Sequence, residues 1–309
     1  MTSSRHQRGQ AMVISLLFLT VLLAMSAAVL DVGAWYRAHR QTQATADATA
    51  LAGAQKLPSD PGGAQTLALD YAGRNGGGVQ GGDIVISGTN SPNDTIAVTA
   101  RRTVPGFFTK LFGINSVTAR QKAKARVGGM DSAKWAAPIG VDYLHEDLHC
   151  TPSLECNPEF DTPTQIDFFK VGPGAFRLIN IDGSHGGTGP PELGEWIRTG
   201  LDQFMPNNRW YYSDPGMKPN SSHVKSALDD RLGPGKELLL PIYTQTRGSG
   251  SGFEYYVVAW VGYQIHSWDI RGSNRATIDG AFTRIIWEGI QSEHGGDDGL
   301  GAKSVQLVE

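Results

Sequence analysis

The stretch Ala11–Leu30, AMVISLLFLTVLLAMSAAVL, runs for 20 residues without a charge. At 1.5 Å of rise per residue, a helix of that length reaches about 30 Å, the hydrocarbon thickness of a bilayer. A helix packed in a soluble domain keeps one polar face, and this one keeps none. Arg5 and Arg8 precede the run, Asp31 closes it, and Trp35 and Tyr36 follow where interfacial aromatics belong. Arg37 and Arg40 lie just beyond, so two basic residues flank each end and charge alone gives little orientation. The short preceding tail favours an N-terminus left in the cytoplasm, with the bulk of the chain outside. Ser26-Ala27-Ala28 would suit a cleavable signal peptide, but the apolar run is longer than such a segment needs and its pattern continues through that site. The reading taken is an uncleaved single-pass anchor, with Ala11, Leu17, Leu23 and Leu30 among its lipid-facing residues.

The helical pattern continues past the apolar run. Gln41–Leu57, QTQATADATALAGAQKL, holds no proline and one glycine. Ala44, Ala48, Leu51 and Ala52 recur at helical spacing, and Ala46, Ala50 and Ala54 form a neighbouring stripe. Small residues so placed let another backbone come close, either within the same domain or from another subunit.

The segment from Arg8 to Leu57 closely resembles the N-terminal region of Flp (Tad) pilus-assembly proteins of the TadE/TadG-like kind. Arg8-Gly9-Gln10, Asp31-Val32-Gly33 with Tyr36, and Ala46-Asp47-Ala48 leading to Ala50-Leu51-Ala52-Gly53-Ala54 carry the resemblance. It continues more loosely to about Val127. It implies a membrane-anchored pilus-assembly component or minor pilin-like subunit, with the bilayer and other Tad/Flp proteins as partners. Type IV prepilins place a glutamate five residues after their processing glycine; here Gly9 is followed at that offset by Ile14. Prepilin-type cleavage is therefore not expected, and the anchored TadG-like members are the better analogue.

Farther along, Pro58–Gly63 should break the helix and Ala64–Ala72 should form a second one. Ile84–Ile86 and Thr95–Arg101 read as strands. Phe107, Phe108, Leu111 and Phe112 would share a helical face that Gly113 stops. In Ser116–Val127, Val117, Ala119, Ala123, Ala125 and Val127 point one way, and Arg120, Lys122, Lys124 and Arg126 the other. A solvated sheet face explains those four cations more simply than anionic headgroups do. Beyond Gly128-Gly129 the composition shifts, with strands expected over Phe176–Asp182, Glu237–Tyr243 and Phe253–Trp268. Helical faces are expected at Leu193/Trp196/Ile197/Leu201 and at Val224/Ala227/Leu228/Leu232.

Three features invite a chemical reading. His145-Glu146-Asp147-Leu148-His149 matches HExxH, in which two histidines on one helical face bind zinc and the glutamate acts on its water. Pro138, Gly140 and Pro152 crowd that segment and leave little room for a helix. Catalysis by Glu146 with His145 and His149 as ligands is thus the lesser alternative. Cys150 and Cys156 are spaced for a small disulfide-closed loop in an exported domain, which could also shape a recognition loop for adhesion. Asp182-Gly183-Ser184 is similar to the metal-binding start of a von Willebrand factor A domain, but Gly186 stands where a second serine would ligate, so a tight turn is the reading taken.

A formal net charge of −3 over 309 residues gives no reason to propose a nucleic-acid partner, and 39 glycines favour turns and β-structure. The expected architecture is α+β. It comprises a cytoplasmic tail (1–10), a transmembrane helix (11–30), a pilin-like stalk with a small α/β module (31–128), a β-rich exported domain (129–293) and a flexible tail (294–309). No cofactor is expected, and the expected role is structural.

Overall fold

The computed structural model describes the chain except residues 1–3, 154, 169–174, 217, 272–275, 293–298 and 309; for 4–10 and 175–176 it describes only the backbone. The architecture is α+β, and the chain divides into two compact units. The first takes Met1–Ser87, Thr95–Arg126 and Leu307–Glu309; the second takes Gly88–Asp94 and Val127–Gln306.

The first unit is organised by one long helix, α1 (Ser4–Ala54, 51 residues). It is one helix long and apolar enough to cross a membrane, and none of its apolar window is buried inside the protein. Ala11, Leu17, Leu23 and Leu30 are all exposed. From Asp31 onward the same helix changes character. Asp31, Ala38, Thr42, Thr45, Ala46, Thr49, Ala50 and Ala54 are buried in a stripe that returns every three or four residues. That stripe packs on α2 (Pro61–Arg74) and on a sheet of β1 (Ile84–Ser87), β2 (Thr95–Pro105) and β3 (Ser116–Gly128). Asp60 caps α2, its Oδ1 accepting the Gly63 N–H at 2.8 Å, and Pro61 occupies the first turn. Ala64, Ala68 and Ala72 give α2 its buried face. Gly53 is the closest approach: a Cβ there would lie 2.5 Å from Ile96 Cδ1 and 3.1 Å from Ala68 Cβ.

β2 and β3 form an antiparallel hairpin in register from Thr95↔Arg126 to Pro105↔Ser116, with β1 on the far edge of β2. Ile96, Val98 and Ala100 share the buried face with Ala119, Ala123 and Ala125. The alternation puts Arg120, Lys122, Lys124 and Arg126 on the opposite face. Asp83 pairs there with Arg101.

The second unit is β-rich. Its strands are β4 (Met130–Ala133), β5 (Val141–Asp142), β6 (Thr164–Asp167), β7 (Ala175–Ile179), β8 (Met205–Pro206), β9 (Arg209–Pro215), β10 (Leu238–Arg247), β11 (Glu254–Ile270), β12 (Ala276–Thr283), β13 (Ile285–Ile286), β14 (Gly289–Gln291) and, as far as Gln306, β15 (Ala302–Val308). The main sheet runs β5-β10-β11-β12-β6, with β9 paired to one end of β11 and β7 to β9. The centre of β11, Val257–Tyr263, is buried on both faces, as befits a strand whose apolar run is nearly continuous. A smaller sheet joins β14, β4 and β8.

Trp260, Tyr243, Tyr255, Tyr263, Phe168 and Phe282 are the largest buried side chains of this core. Two helices, α3 (Pro190–Thr199) and α4 (Ser222–Asp230), pack together where Gly194 meets the His223 backbone. Ser221 caps α4 through the Val224 N–H. Burial pushes the Asp214 carboxyl up from its ordinary range despite the Lys218 ammonium beside it.

The expected flexible tail is corrected by β15: Ala302–Val308 is a strand, and Ala302 and Lys303 pair in parallel with Ile285 and Ile286. Most of the preceding part of that tail, 294–298, lies outside the described residues. The helical face expected at Phe107–Phe112 is also revised. Only the 3₁₀ turn Thr109–Phe112 forms, ended by left-handed Gly113 at φ 83°.

Candidate functional site

The first unit meets the end of the apolar segment through Asp31. Its Oδ1 accepts the Phe107 N–H at 3.0 Å, and its Oδ2 accepts those of Phe108 at 3.0 Å and Thr109 at 2.8 Å. The β2–β3 hairpin tip is thereby fastened to α1. Above that point the two elements run side by side: His39 Nδ1 lies 2.9 Å from Gln121 Nε2, Arg102 Nη1 donates to Gln41 Oε1 at 2.8 Å, and Gln43 donates to the Lys122 carbonyl at 3.3 Å. The Thr45 hydroxyl donates to the Asn75 carbonyl after α2 at 2.7 Å. Below Asp31, Phe107, Phe108, Leu111 and Phe112 are turned outward, with Leu111 84% and Phe112 79% exposed.

Of the residues singled out for helix packing, Ala52 is buried, Ala48 and Leu51 are half-buried, and Ala44 is exposed. The stripe that α1 buries in its own fold is instead the neighbouring one of Ala46, Ala50 and Ala54, joined by Gly53. Periodicity identified both stripes but had no means of choosing between them.

In the second unit the HExxH segment does not form the helix its chemistry needs. Glu146–Leu148 is a single 3₁₀ turn, and His149 follows with φ 46°. Four-residue spacing aligns two side chains only on an α-helix, so the imidazoles take separate partners. His145 Nε2 sits 3.0 Å from the Gln165 carbonyl with its ring edge on Phe282, whereas His149 Nε2 sits 3.1 Å from Glu159 Oε1. Among the described residues, no three His, Cys, Asp or Glu side chains gather into a metal-binding group. Cys150 and Cys156 form a disulfide with their Cα atoms 4.0 Å apart. The loop is tied down by Thr151 N–H to the Glu155 carbonyl at 2.9 Å and by buried Leu148 beneath it. Asp182 turns back on itself, its Oδ1 accepting the Ser184 N–H at 2.7 Å, in the tight turn expected.

Residues 9–56 match the family model described as putative Flp pilus-assembly TadE/G-like. The match begins before the apolar segment and ends just past Ala54, so it coincides with α1. It links this region to pilus-assembly systems and gives the class to which the anchor-like helix is similar. No curated protein and no solved structure matches the chain.

The sequence reading missed the hairpin tip. It treated Asp31 as a mark of where the apolar run stops, and Phe107, Phe108, Leu111 and Phe112 as one face of a helix. A usable signal was present: from Gly106 to Ala119 there is no acidic residue and only Lys110 and no other charge. Four large apolar residues crowded into so short a turn have little core of their own to enter.

Proposed function

We propose that this chain is a membrane-anchored structural or assembly component of an Flp/Tad-type pilus system, and that it acts without catalysis. The observation that carries this reading is the coincidence of the TadE/G-like match at 9–56 with α1. That helix is uncovered over its apolar part and packed into a domain over the rest. Such a division suits a protein held by lipid at one end and folded in water at the other. The N-terminus lies in the cytoplasm, and the folded units lie on the other side of the membrane. Oxidised Cys150–Cys156 supports that placement, since disulfides persist in exported proteins. Exposed Ala44 with half-buried Ala48 and Leu51 is the part of the stalk left for neighbouring pilin-like subunits.

The test has two arms. Alkaline phosphatase fused at the C-terminus should be active and the protein should resist carbonate extraction from membranes. Deleting the gene should abolish or sharply reduce Flp-type pili, with rescue by the full chain. Unchanged piliation in the deletion strain would remove the pilus role while leaving the anchor intact.

A further inference from the structure

We infer that the tip of the β2–β3 hairpin is a second membrane contact, inserted into the bilayer leaflet at the Asp31 end of α1. This rests on the reading of α1 as a membrane anchor and adds to it. The tip carries Phe107, Phe108, Leu111 and Phe112, which are 68%, 42%, 84% and 79% exposed. Side chains of that size seldom face water together in so short a segment unless something covers them.

The position of the tip says what that covering is. Leu111 and Phe112 border an apolar groove whose other wall is Thr20, Leu23, Ala24 and Ala27 of α1. Thr20 lies eleven residues before Asp31, so the groove reaches about 16 Å down the apolar segment at 1.5 Å per residue. Whatever lipid surrounds Leu23 and Ala24 therefore surrounds Leu111 and Phe112 as well. A surface continuous with the lipid-facing side of a spanning helix shares its solvent.

The backbone of the tip is prepared for that environment. Lipid offers no hydrogen bonds, so a loop entering it must satisfy its own polar groups. Asp31 takes the N–H groups of residues 107, 108 and 109. Gly106 donates to the Asn115 carbonyl, Leu111 to that of Phe108, Gly113 to that of Lys110 and Ile114 to that of Thr109, each at 3.0 Å. Thr109 Oγ1 also donates to the Ile114 carbonyl at 3.3 Å. Lys110 is the single charge, and its long stem can carry the ammonium up to the headgroups. Cations then reappear on both strands leading away, Arg101 and Arg102 on β2 and Arg120, Lys122 and Lys124 on β3, where anionic headgroups would meet them.

The experiment uses the full chain in vesicles of phosphatidylethanolamine and phosphatidylglycerol. The native disulfide is kept closed, and an environment-sensitive fluorophore is placed on Leu111→Cys, Phe112→Cys, Leu23→Cys or Lys122→Cys in turn. Leu111 and Phe112 should behave as Leu23 does: quenched by lipids with a nitroxide on the acyl chain and shielded from aqueous iodide. Lys122 should show the reverse. If the Leu111 and Phe112 labels follow Lys122 while Leu23 stays lipid-quenched, the anchor stands and the insertion is overturned, leaving the groove to a protein partner. Should Leu23 also prove open to iodide, the anchor reading fails first and this inference with it. Having two labelled tip positions guards against one substitution disturbing the turn.

Discussion

The carboxylate of Asp31 accepts the backbone N–H of Thr109 at 2.8 Å across 78 residues of sequence. With the two neighbouring bonds from Phe107 and Phe108, and a hydrogen bond from the Thr109 side chain, it joins the end of the apolar segment to the hairpin tip. A buried carboxylate with three backbone donors is a strong local fixture, because each donor left bare costs about 1–3 kcal/mol.

Asp31→Ala should therefore release the tip without disturbing α1. We expect a loss of about 2–4 kcal/mol in local stability, less than the summed donors because freed N–H groups find water or each other. Asp31→Asn should lose less, since one amide oxygen still accepts. Amide hydrogen exchange at Phe107–Thr109 in detergent micelles reads this directly. Protection unchanged in Asp31→Ala would mean the carboxylate is not what holds the hairpin.

Gly53 offers a second test, because two effects of opposite sign meet there. Gly→Ala in a helix interior ordinarily gains about 1 kcal/mol. Here the new Cβ would stand 2.5 Å from Ile96 Cδ1 and 3.1 Å from the Ala64 carbonyl oxygen. Overpacking of that kind costs about 1–3 kcal/mol, so the net effect should be destabilising, and Gly53→Val more so. Hydrogen exchange in β2 around Ile96–Ala100 is the readout. A Gly53→Ala chain with increased protection there would show that α1 and β2 do not approach so closely.

Most of the fold was legible because it is written in periodicity. The uncharged run Ala11–Leu30, the alternation of β3 and the buried centre of β11 each produce a local pattern that needs no knowledge of distant residues. What stayed hidden depends on contacts far apart in sequence. Asp31 and Thr109 give no local sign of each other, and neither do Ile285 and Ala302, whose parallel pairing turns an apparent tail into a strand. HExxH failed for the reason its context gave: with Pro138, Gly140 and Pro152 nearby, the segment formed one turn rather than a helix. Choosing between the Ala44 and Ala46 stripes needed α2 and Ile96, which periodicity does not contain.

Asp83 makes the edge of the first unit's sheet sensitive to acid. Burial pushes its carboxyl up, but the Gln80 N–H and the Arg101 guanidinium outweigh this and hold it below the ordinary carboxylate value. A carboxylate depressed in the folded state stabilises above its unfolded pKa and loses that contribution as pH falls through the folded value. The Gly81–Asp83 turn and β1 should thus loosen below about pH 4 and be unaffected between about pH 6 and 8. Asp83→Asn should remove the acid dependence and weaken the turn at neutral pH. Nuclear magnetic resonance of the Gln80 amide against pH follows both, and a midpoint above that of an ordinary aspartate would contradict the sign.

The Cys150–Cys156 bond closes a short loop, with a sequence separation of 6. Because the entropy removed from the unfolded chain grows with the logarithm of loop length, so short a ring contributes about 2 kcal/mol rather than the larger figure of a long one. The loop is also held without the bond: Thr151 N–H reaches the Glu155 carbonyl, Asn157 N–H reaches that of Leu148, and Leu148 itself is fully buried. Reduction, or the Cys150→Ser/Cys156→Ser pair, should lower the thermal midpoint of the second unit by only a few degrees, roughly what 2 kcal/mol gives for a domain of this size. His149–Glu159 should loosen first, because the disulfide-closed loop lies between the two residues in sequence. A collapse of the whole unit on reduction, seen by near-ultraviolet circular dichroism, would show that the bond organises the core rather than trimming one surface loop.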